Sequence, residues 1–146
     1  MPRTILLPLD PARPARWPLA LTEAQLMMRD GGVLHVLNVL PDYGLGPMPE
    51  IMGNMMRQAM EQSALPQLRE ALRLWLSQTL PIAAQVEPHV RMGDPAQAIL
   101  TLADEIGAGI IVLGLPPAPD PLGEVSQRIV TEATASVFLV RSVTAG

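Results

Sequence analysis

Five short runs with the pattern of strands, four of them apolar and the third half-exposed, constrain the fold of this chain more than any other feature. The runs lie at 4–10, 33–40, 85–92, 110–113 and 137–140. The segments between them that have helical character are 15–29, 50–79, 96–106 and 123–134. Regular alternation of strand and helix predicts right-handed crossovers and a parallel sheet. We therefore predict one α/β domain, residues 1–146: a single open five-stranded parallel sheet with helices on both faces.

Composition excludes several classes of function. Hydrophobic residues make up 49 % of the chain and charged residues 16 %, which predicts a packed core. The absence of cysteine excludes disulfides, thiolate catalysis and cysteine-based metal sites. A formal net charge of -4 argues against nucleic acid as a partner. No apolar stretch approaches the roughly 20 residues of a membrane helix, so we expect a soluble, cytoplasmic protein without membrane insertion.

The carboxyl ends of the predicted strands indicate where a ligand would bind. Open parallel sheets bind ligands in the crevice outside these ends, where the strand order reverses. Asp10 closes the first run, and Val39 and Leu40 end the second. Gly93 follows the third run and Gly114 follows the fourth. We expect these residues to line the site.

The long helical segment 50–79 contains two features of its own. Pro66 disfavours an uninterrupted helix, and Ser63 could cap a new first turn, so we predict a kink or restart near 63–66. Three methionines, Met52, Met56 and Met60, share one helical face. That face either packs in the core or against a second copy, or it forms an adaptable surface for a protein partner or a small apolar ligand.

The residues that could perform catalysis or hold a metal are scattered along the sequence. His35 and His89 are 54 positions apart, each alone in a predicted strand, so we expect no metal site. Ser126 and Ser136 have no nearby histidine and acid, and the chain has no G-x-S-x-G motif. The sequence therefore predicts a protein that is not an enzyme.

Five segments, in order along the chain, carry a resemblance to a known family. They are Leu7-Pro8-Leu9-Asp10, Leu37-Asn38-Val39, Met92-Gly93-Asp94-Pro95-Ala96, 106–114 (IGAGIIVLG) and Val137-Phe138-Leu139-Val140-Arg141. These segments resemble the V-P-x-D start, the second strand end, the x-G-x-P turn, the x-G-A-D-L-I-V-M-G segment and the closing P-V-L-V-V-R of universal stress proteins. The resemblance implies a Rossmann-like sheet in the order 3-2-1-4-5, a regulatory or binding role in the stress response, and a homodimer formed through the last strand.

The loop that would bind phosphate departs from the pattern of that family. ATP-binding members carry G-x-x-G, nine residues and then G-S/T, and the backbone N–H groups of this loop wrap the phosphates. Here Gly114 matches, Pro117 replaces the second glycine, only five residues precede Gly123, and Glu124 replaces the hydroxyl residue. Proline donates no N–H, and a carboxylate about 4 Å from a phosphate costs roughly 1–4 kcal/mol. We predict no tight ATP binding and no bound cofactor.

A nucleotide-binding alternative stays open. In that alternative ATP or AMP binds a rebuilt loop, and the residues that contact it are Asp10, Val39, Gly93, Gly114 and Gly123. The resemblance implies that Asp10 contacts the ribose or the adenine. Its structural alternative is to cap the loop after the first strand.

Overall fold

The sheet has the predicted architecture. The computed structural model describes residues 3–40, 50–80 and 85–143, and the structural statements below concern those residues. The strands are β1 (Arg3–Pro8), β2 (Gly32–Leu40), β3 (Gln85–Met92), β4 (Ile110–Leu115) and β5 (Ser136–Arg141). All neighbouring strands are parallel, and their order is β3-β2-β1-β4-β5. The predicted strand order is therefore confirmed.

Five α-helices connect the strands. They are α1 (Trp17–Met27), α2 (Glu50–Ala59), α3 (Leu65–Thr79), α4 (Pro95–Ile106) and α5 (Glu124–Glu132). A 3-10 turn, Pro14–Arg16, precedes α1, and a π-helical turn, Met60–Ala64, joins α2 to α3. In the three described ranges, no helix is both long enough and apolar enough to span a membrane.

Both faces of the central strands β1, β2 and β4 are covered, which explains why these three strands are largely apolar. On one face, Ile5, Leu7, Leu34, Val36 and Val112 are fully buried. They pack with α1 and α3 through Ala20, Leu21, Ala24, Leu72 and Leu76. On the other face, the strand residues Leu6, Leu37, Ile111 and Leu113 form a second core with α4 and α5. The helices contribute Ile99, Leu102, Ala103 and Ile129 to it. Alternate residues of one strand thus enter two separate cores.

Two strand ends differ from the prediction. β1 ends at Pro8, so Asp10 lies beyond the sheet, although the Leu9 N–H still donates to the Leu37 carbonyl at 2.8 Å. β4 continues past residue 113 to Leu115, because β5 pairs with it as far as Arg141. Pairing with the edge strand β5 therefore makes β4 two residues longer than predicted.

The predicted interruption near Pro66 takes a different form. Ser63 does not cap a new helix: its hydroxyl donates to the Ala59 carbonyl at 2.7 Å. The chain instead widens into the π-helical turn, and Pro66 sits in the first turn of α3. A proline has no N–H and its ring clashes with the carbonyl four residues earlier, so one wider turn accommodates it without breaking the helix.

Candidate functional site

A crevice of about 850 Å³ opens at the carboxyl ends of β1, β2 and β4. It lies where the strand order reverses between β1 and β4, which is the position expected for a ligand site in such a sheet. Of the predicted site residues, the crevice is lined by Asp10, Val39, Leu40, Gly114 and Gly123. Gly93 is not part of the lining, although Met92 and Pro95 beside it are. A ligand at these residues remains a prediction.

Asp10 caps the loop after β1, which was the structural alternative to contact with a ribose or an adenine. One carboxylate oxygen accepts the Ala12 N–H at 2.9 Å, and the other accepts from the Arg13 guanidinium at 2.7 Å. The Asp10 carbonyl also accepts the Trp17 indole N–H at 2.9 Å. These bonds shape the turn between β1 and α1. The carboxylate already has a cationic partner before any ligand arrives.

Gly114 is required by the chain itself. A Cβ built on Gly114 would lie 2.6 Å from the Arg16 carbonyl oxygen and 3.3 Å from the Arg16 Cβ. Any other residue at this position would therefore push the 3-10 turn away from β4. Close approach of backbone is a usual reason for glycine, and here the approaching backbone is that of Arg16. Sequence reasoning assigned this space to a phosphate and did not consider Arg16.

Arg16 also lines the crevice. Within the described ranges its guanidinium makes no hydrogen bond and no ion pair. Burial lowers the pKa of Arg16, and the nearby Arg13 lowers it further, whereas Asp10 and Asp120 act in the opposite direction. Arg16 is thus a cation that has lost some of its water and gained no hydrogen-bonded counterion. The sequence alone gives little indication that Arg16 lies at the crevice, because Arg16 is one of ten arginines in the chain.

The loop from β4 to α5 is held by the end of the sheet. The Arg141 guanidinium donates to the carbonyls of Pro116, at 3.2 Å, and Asp120, at 2.7 Å. The four prolines in this loop, which are Pro116, Pro117, Pro119 and Pro121, supply no N–H donors. Gly123 closes the loop with φ of +89°, a conformation that favours glycine whatever the surrounding space.

The first turn of α5 brings two different side chains to the crevice. Glu124 lies on the exposed side of the turn, and Ser126 is 9 % exposed. No described residue exchanges a hydrogen bond with the Ser126 hydroxyl. Its position just after Gly123, in the first turn of a predicted helix, was the signal that could have identified Ser126 as a ligand contact.

The methionine face is divided between the crevice and the surface. Met56 and Met60 line the crevice, while Met52 is 54 % exposed and Met55 is 64 % exposed. No residue of α2 belongs to either buried core. The alternative of core packing is therefore wrong for α2, and Met56 and Met60 form one wall of the crevice. Packing of this face against a second copy stays a prediction.

The two histidines that seemed isolated in the sequence form a pair. His35 Nδ1 and His89 Nε2 are 2.9 Å apart, and the rings stack with centroids 5.1 Å apart. The expectation that each stands alone is wrong, because the register pairs Leu37 with His89 and so places His35 diagonally across from it. Burial lowers the pKa of both rings, and with the nearby His35 and Arg91 it lowers that of His89 to about 4.

The histidine pair lies on the sheet face that α4 covers and does not line the crevice. Arg91 links the same face to α4 through an ion pair with Glu105 at 2.5 Å. Across the described part of the chain, no group of three or more histidine, cysteine or acidic residues could hold a metal ion. The pair is therefore a hydrogen-bonded contact between β2 and β3.

Comparison with known proteins places this chain in a family. A model of the universal stress protein family matches residues 1–141. Universal stress protein G from Escherichia coli O157:H7 is 26 % identical over 147 residues, covering 97 % of this chain and 100 % of that protein. The structure resembles UspA from Lactobacillus plantarum, with a TM-score of 0.70, 20 % identity and coverage of 95 % of this chain and 97 % of that one.

A second similar structure comes from a plant. It is a universal stress protein family protein from Arabidopsis thaliana with AMP bound, and its TM-score is 0.57 at 18 % identity. The match covers 97 % of this chain and 92 % of that one. At these identities the structural similarity shows the fold alone, whereas the match of the family model to residues 1–141 shows the family. This chain belongs to the universal stress protein family.

Proposed function

We propose that this protein is a non-catalytic binding module of the stress response whose crevice takes a small ligand other than tightly bound ATP. The observation that carries the proposal is the contact between Arg16 and Gly114, in which the Arg16 carbonyl lies 2.6 Å from the place of a Cβ. The backbone of Arg16 thus fills the space beside Gly114 in the direction of a Cβ, which leaves less room there for a phosphate. We also propose a cytoplasmic location.

Two further features weaken binding of a triphosphate. The loop after Gly114 is rich in proline, and its carbonyls at Pro116 and Asp120 are held by Arg141. Glu124 adds a negative charge at the crevice, which costs roughly 1–4 kcal/mol if a phosphate lies about 4 Å away. Loss of two or three charge-assisted hydrogen bonds adds about 1.5–3 kcal/mol each. Together these terms exceed the ~8 kcal/mol of a micromolar complex only at their upper end.

Thermal unfolding with Mg-ATP and with AMP tests the proposal against the nucleotide-binding alternative. A ligand at 100 times its dissociation constant adds about 2.7 kcal/mol, which raises the melting temperature by several degrees. We expect no shift with ATP at millimolar concentration. A clear shift with ATP would overturn the proposal and favour a rebuilt phosphate loop.

Replacing Glu124 isolates the contribution of charge. The Glu124→Gln variant should tighten residual ATP binding by at least about fivefold, because it removes the repulsion and keeps the shape. Glu23→Gln, in α1 and outside the crevice lining, is the matched control and should change nothing. AMP carries fewer phosphates to repel, and AMP is bound in the plant relative, so it is the nucleotide most able to support the alternative.

We also propose a homodimer through β5. This strand is at the edge of the sheet and pairs only with β4 among the described strands, and Phe138 and Leu139 on it are 41 % and 37 % exposed. An unpaired apolar edge favours pairing with a second copy. Light scattering after gel filtration should give a dimer for the native chain and a monomer for Leu139→Lys. A monomeric native protein at micromolar concentration would overturn this proposal.

The exposed part of the methionine face supports one more interaction. Met52 on this face and the neighbouring Met55 are both exposed. Methionine adapts its shape to irregular surfaces. We keep a protein partner at the Met52, Met56 and Met60 face as a second candidate. Met52→Gln would weaken such a partner without changing the crevice lining, so it separates the two uses of this face.

A further inference from the structure

The crevice combines a long apolar wall with a small polar region. The apolar wall draws on four elements of the fold, and its main members are Val39, Leu40, Met56, Met60, Ile99 and Leu113. A volume of about 850 Å³ lies in the range of small-molecule pockets, which bind mostly through apolar contact and a few polar groups. The ligand should therefore have an apolar body. The flexible methionines allow that body to vary in shape.

The two arginines of the polar region differ in their hydrogen bonds. Arg13 is neutralised by Asp10 at 2.7 Å, whereas the Arg16 guanidinium makes no hydrogen bond or ion pair with any residue that the structure describes. Burial lowers the pKa of Arg16, which reflects the loss of water around its charge. A partly desolvated guanidinium without a hydrogen-bonded counterion favours an anion.

Ser126 provides a second, independent polar group. Its side chain is nine-tenths buried and lines the crevice, and its hydroxyl has no partner within the described ranges. It lies in the first turn of α5, where backbone N–H groups also lack partners inside the helix. A serine hydroxyl is both a donor and an acceptor, so it can donate to an oxygen of a bound ligand.

The charges that line the crevice limit the ligand to a single negative charge. Asp10 and Glu124 carry two negative charges, and Arg13 and Arg16 carry two positive ones. The lining is therefore neutral overall. A polyanion would be repelled by the two carboxylates, whereas a monoanion needs only one cation and can pair with Arg16. Asp120, whose charge acts on Arg16, reinforces this limit.

From these observations we propose that the crevice binds an amphipathic monoanion, with its apolar body against Met56 and Met60 and its carboxylate at Arg16 and Ser126. This proposal rests on the small-ligand function proposed above and names the chemical class of that ligand. The apolar wall supplies most of the affinity, and Arg16 supplies the preference for an anion. A triphosphate has the opposite character, with a high charge and a smaller apolar part.

Titration calorimetry with three eight-carbon probes tests the proposal. Each probe has eight carbons in one unbranched chain, and the head group is anionic in octanoate, neutral in octan-1-ol and cationic in octylamine. We expect octanoate to bind about tenfold more tightly than octanol, since one charge-assisted interaction separates them, and octylamine to bind most weakly. Lengthening the carboxylate from six to eight carbons should tighten binding by about fourfold for each methylene.

Two variants test which residues contact the charged head group of the ligand and which contact its apolar body. Arg16→Met should remove the preference for octanoate over octanol and leave octanol binding unchanged, and Arg29→Met, outside the crevice, is its control. Met56→Gln should weaken octanoate and octanol equally, and Met52→Gln is its control. Met56 is 45 % exposed, so this variant should fold normally.

The outcomes separate this proposal from the broader one. If octanol binds as tightly as octanoate, or Arg16→Met keeps the preference, the monoanion proposal is wrong and the small-ligand function stands. If no octyl probe binds and neither ATP nor AMP raises the melting temperature, the small-ligand function itself fails. If octanoate binds equally to the Met56→Gln variant, its site is elsewhere and the proposal is also overturned.

Discussion

Helices α2 and α4 are similar in length and both are amphipathic, yet they have opposite environments. α4 buries Ile99, Leu102 and Ala103 in the core beneath the sheet. α2 has no residue in either core, and its apolar face is divided between the crevice and the surface, where Met55 is 64 % exposed.

The ends of the two helices differ as well. The Asp94 carboxylate accepts the Gln97 N–H at 3.0 Å at the start of α4, and Gly107 ends that helix with φ of +65°. α2 continues instead into a π-helical turn. An amphipathic pattern therefore indicates that one face of a helix is apolar. It does not indicate whether that face packs in the core, lines a crevice or stays at the surface. Helices that complete a core are positioned for stability, and those that leave an apolar face open are positioned for a ligand or a partner.

The largest expected effect separates the two helices directly. Leu102→Ala in α4 should cost about 2–5 kcal/mol of unfolding free energy, because Leu102 is 1 % exposed and its removal leaves a cavity. Urea unfolding measures this loss. A cost below about 1 kcal/mol would mean that α4 does not close the core as described.

Acid should destabilise the sheet face beneath α4. An unfolded histidine binds a proton near pH 6.5, whereas burial lowers the pKa of His35 and, with the nearby His35, lowers that of His89 to about 4. Protons therefore favour the unfolded chain, so the stability is complete above pH 6.5 and is lost as the pH falls towards 4. We expect a loss of about 1–2 kcal/mol, since partial exposure of both rings screens the effect.

Urea unfolding at about pH 7 and about pH 4.5 measures this loss. The double variant His35→Gln/His89→Gln removes both titrating rings and keeps polar side chains in their place. Its stability should change less between the two pH values than that of the native chain. An equal change in both proteins would show that other groups cause the acid sensitivity.

Removing the cap of α4 should have an effect of about the same size as acid. Asp94→Ala should cost about 1–2 kcal/mol, because the carboxylate accepts the Gln97 N–H and also pairs with Arg128 at 2.8 Å. Asp94→Asn keeps the cap and loses most of the ion pair, so it should recover about half of the loss. Equal costs for the two variants would assign the whole effect to the ion pair.

The smallest effect is expected in α2. Met55→Ala should change the unfolding free energy by less than about 0.5 kcal/mol, because this side chain is mostly exposed and belongs to no core. The same urea experiment applies. A loss as large as that of a core residue would mean that α2 is covered by a part of the molecule, or by a second copy, and would remove the contrast with α4.

Much of the sheet and part of the site follow from local pattern. Short apolar runs that end at proline, glycine or an acid locate the strands, and the positions of Asp10, Val39 and Gly114 follow from the strand ends. Gly93 was the exception, since its neighbours and not Gly93 itself line the crevice. A strand end predicts the edge on which a residue lies but not the direction of each side chain.

Local order along the chain determined the elements of this protein: which segments are strands, which are helices, and which residues stand at the ligand-binding edge. Tertiary structure alone decided three things. The register of β2 on β3 brought His35 to His89, the turn before α1 placed Arg16 over Gly114, and the path of α2 divided its methionines between crevice and surface. The physical reason is that each of these contacts joins residues that are distant in sequence, so their geometry depends on how separate elements pack and not on local preference.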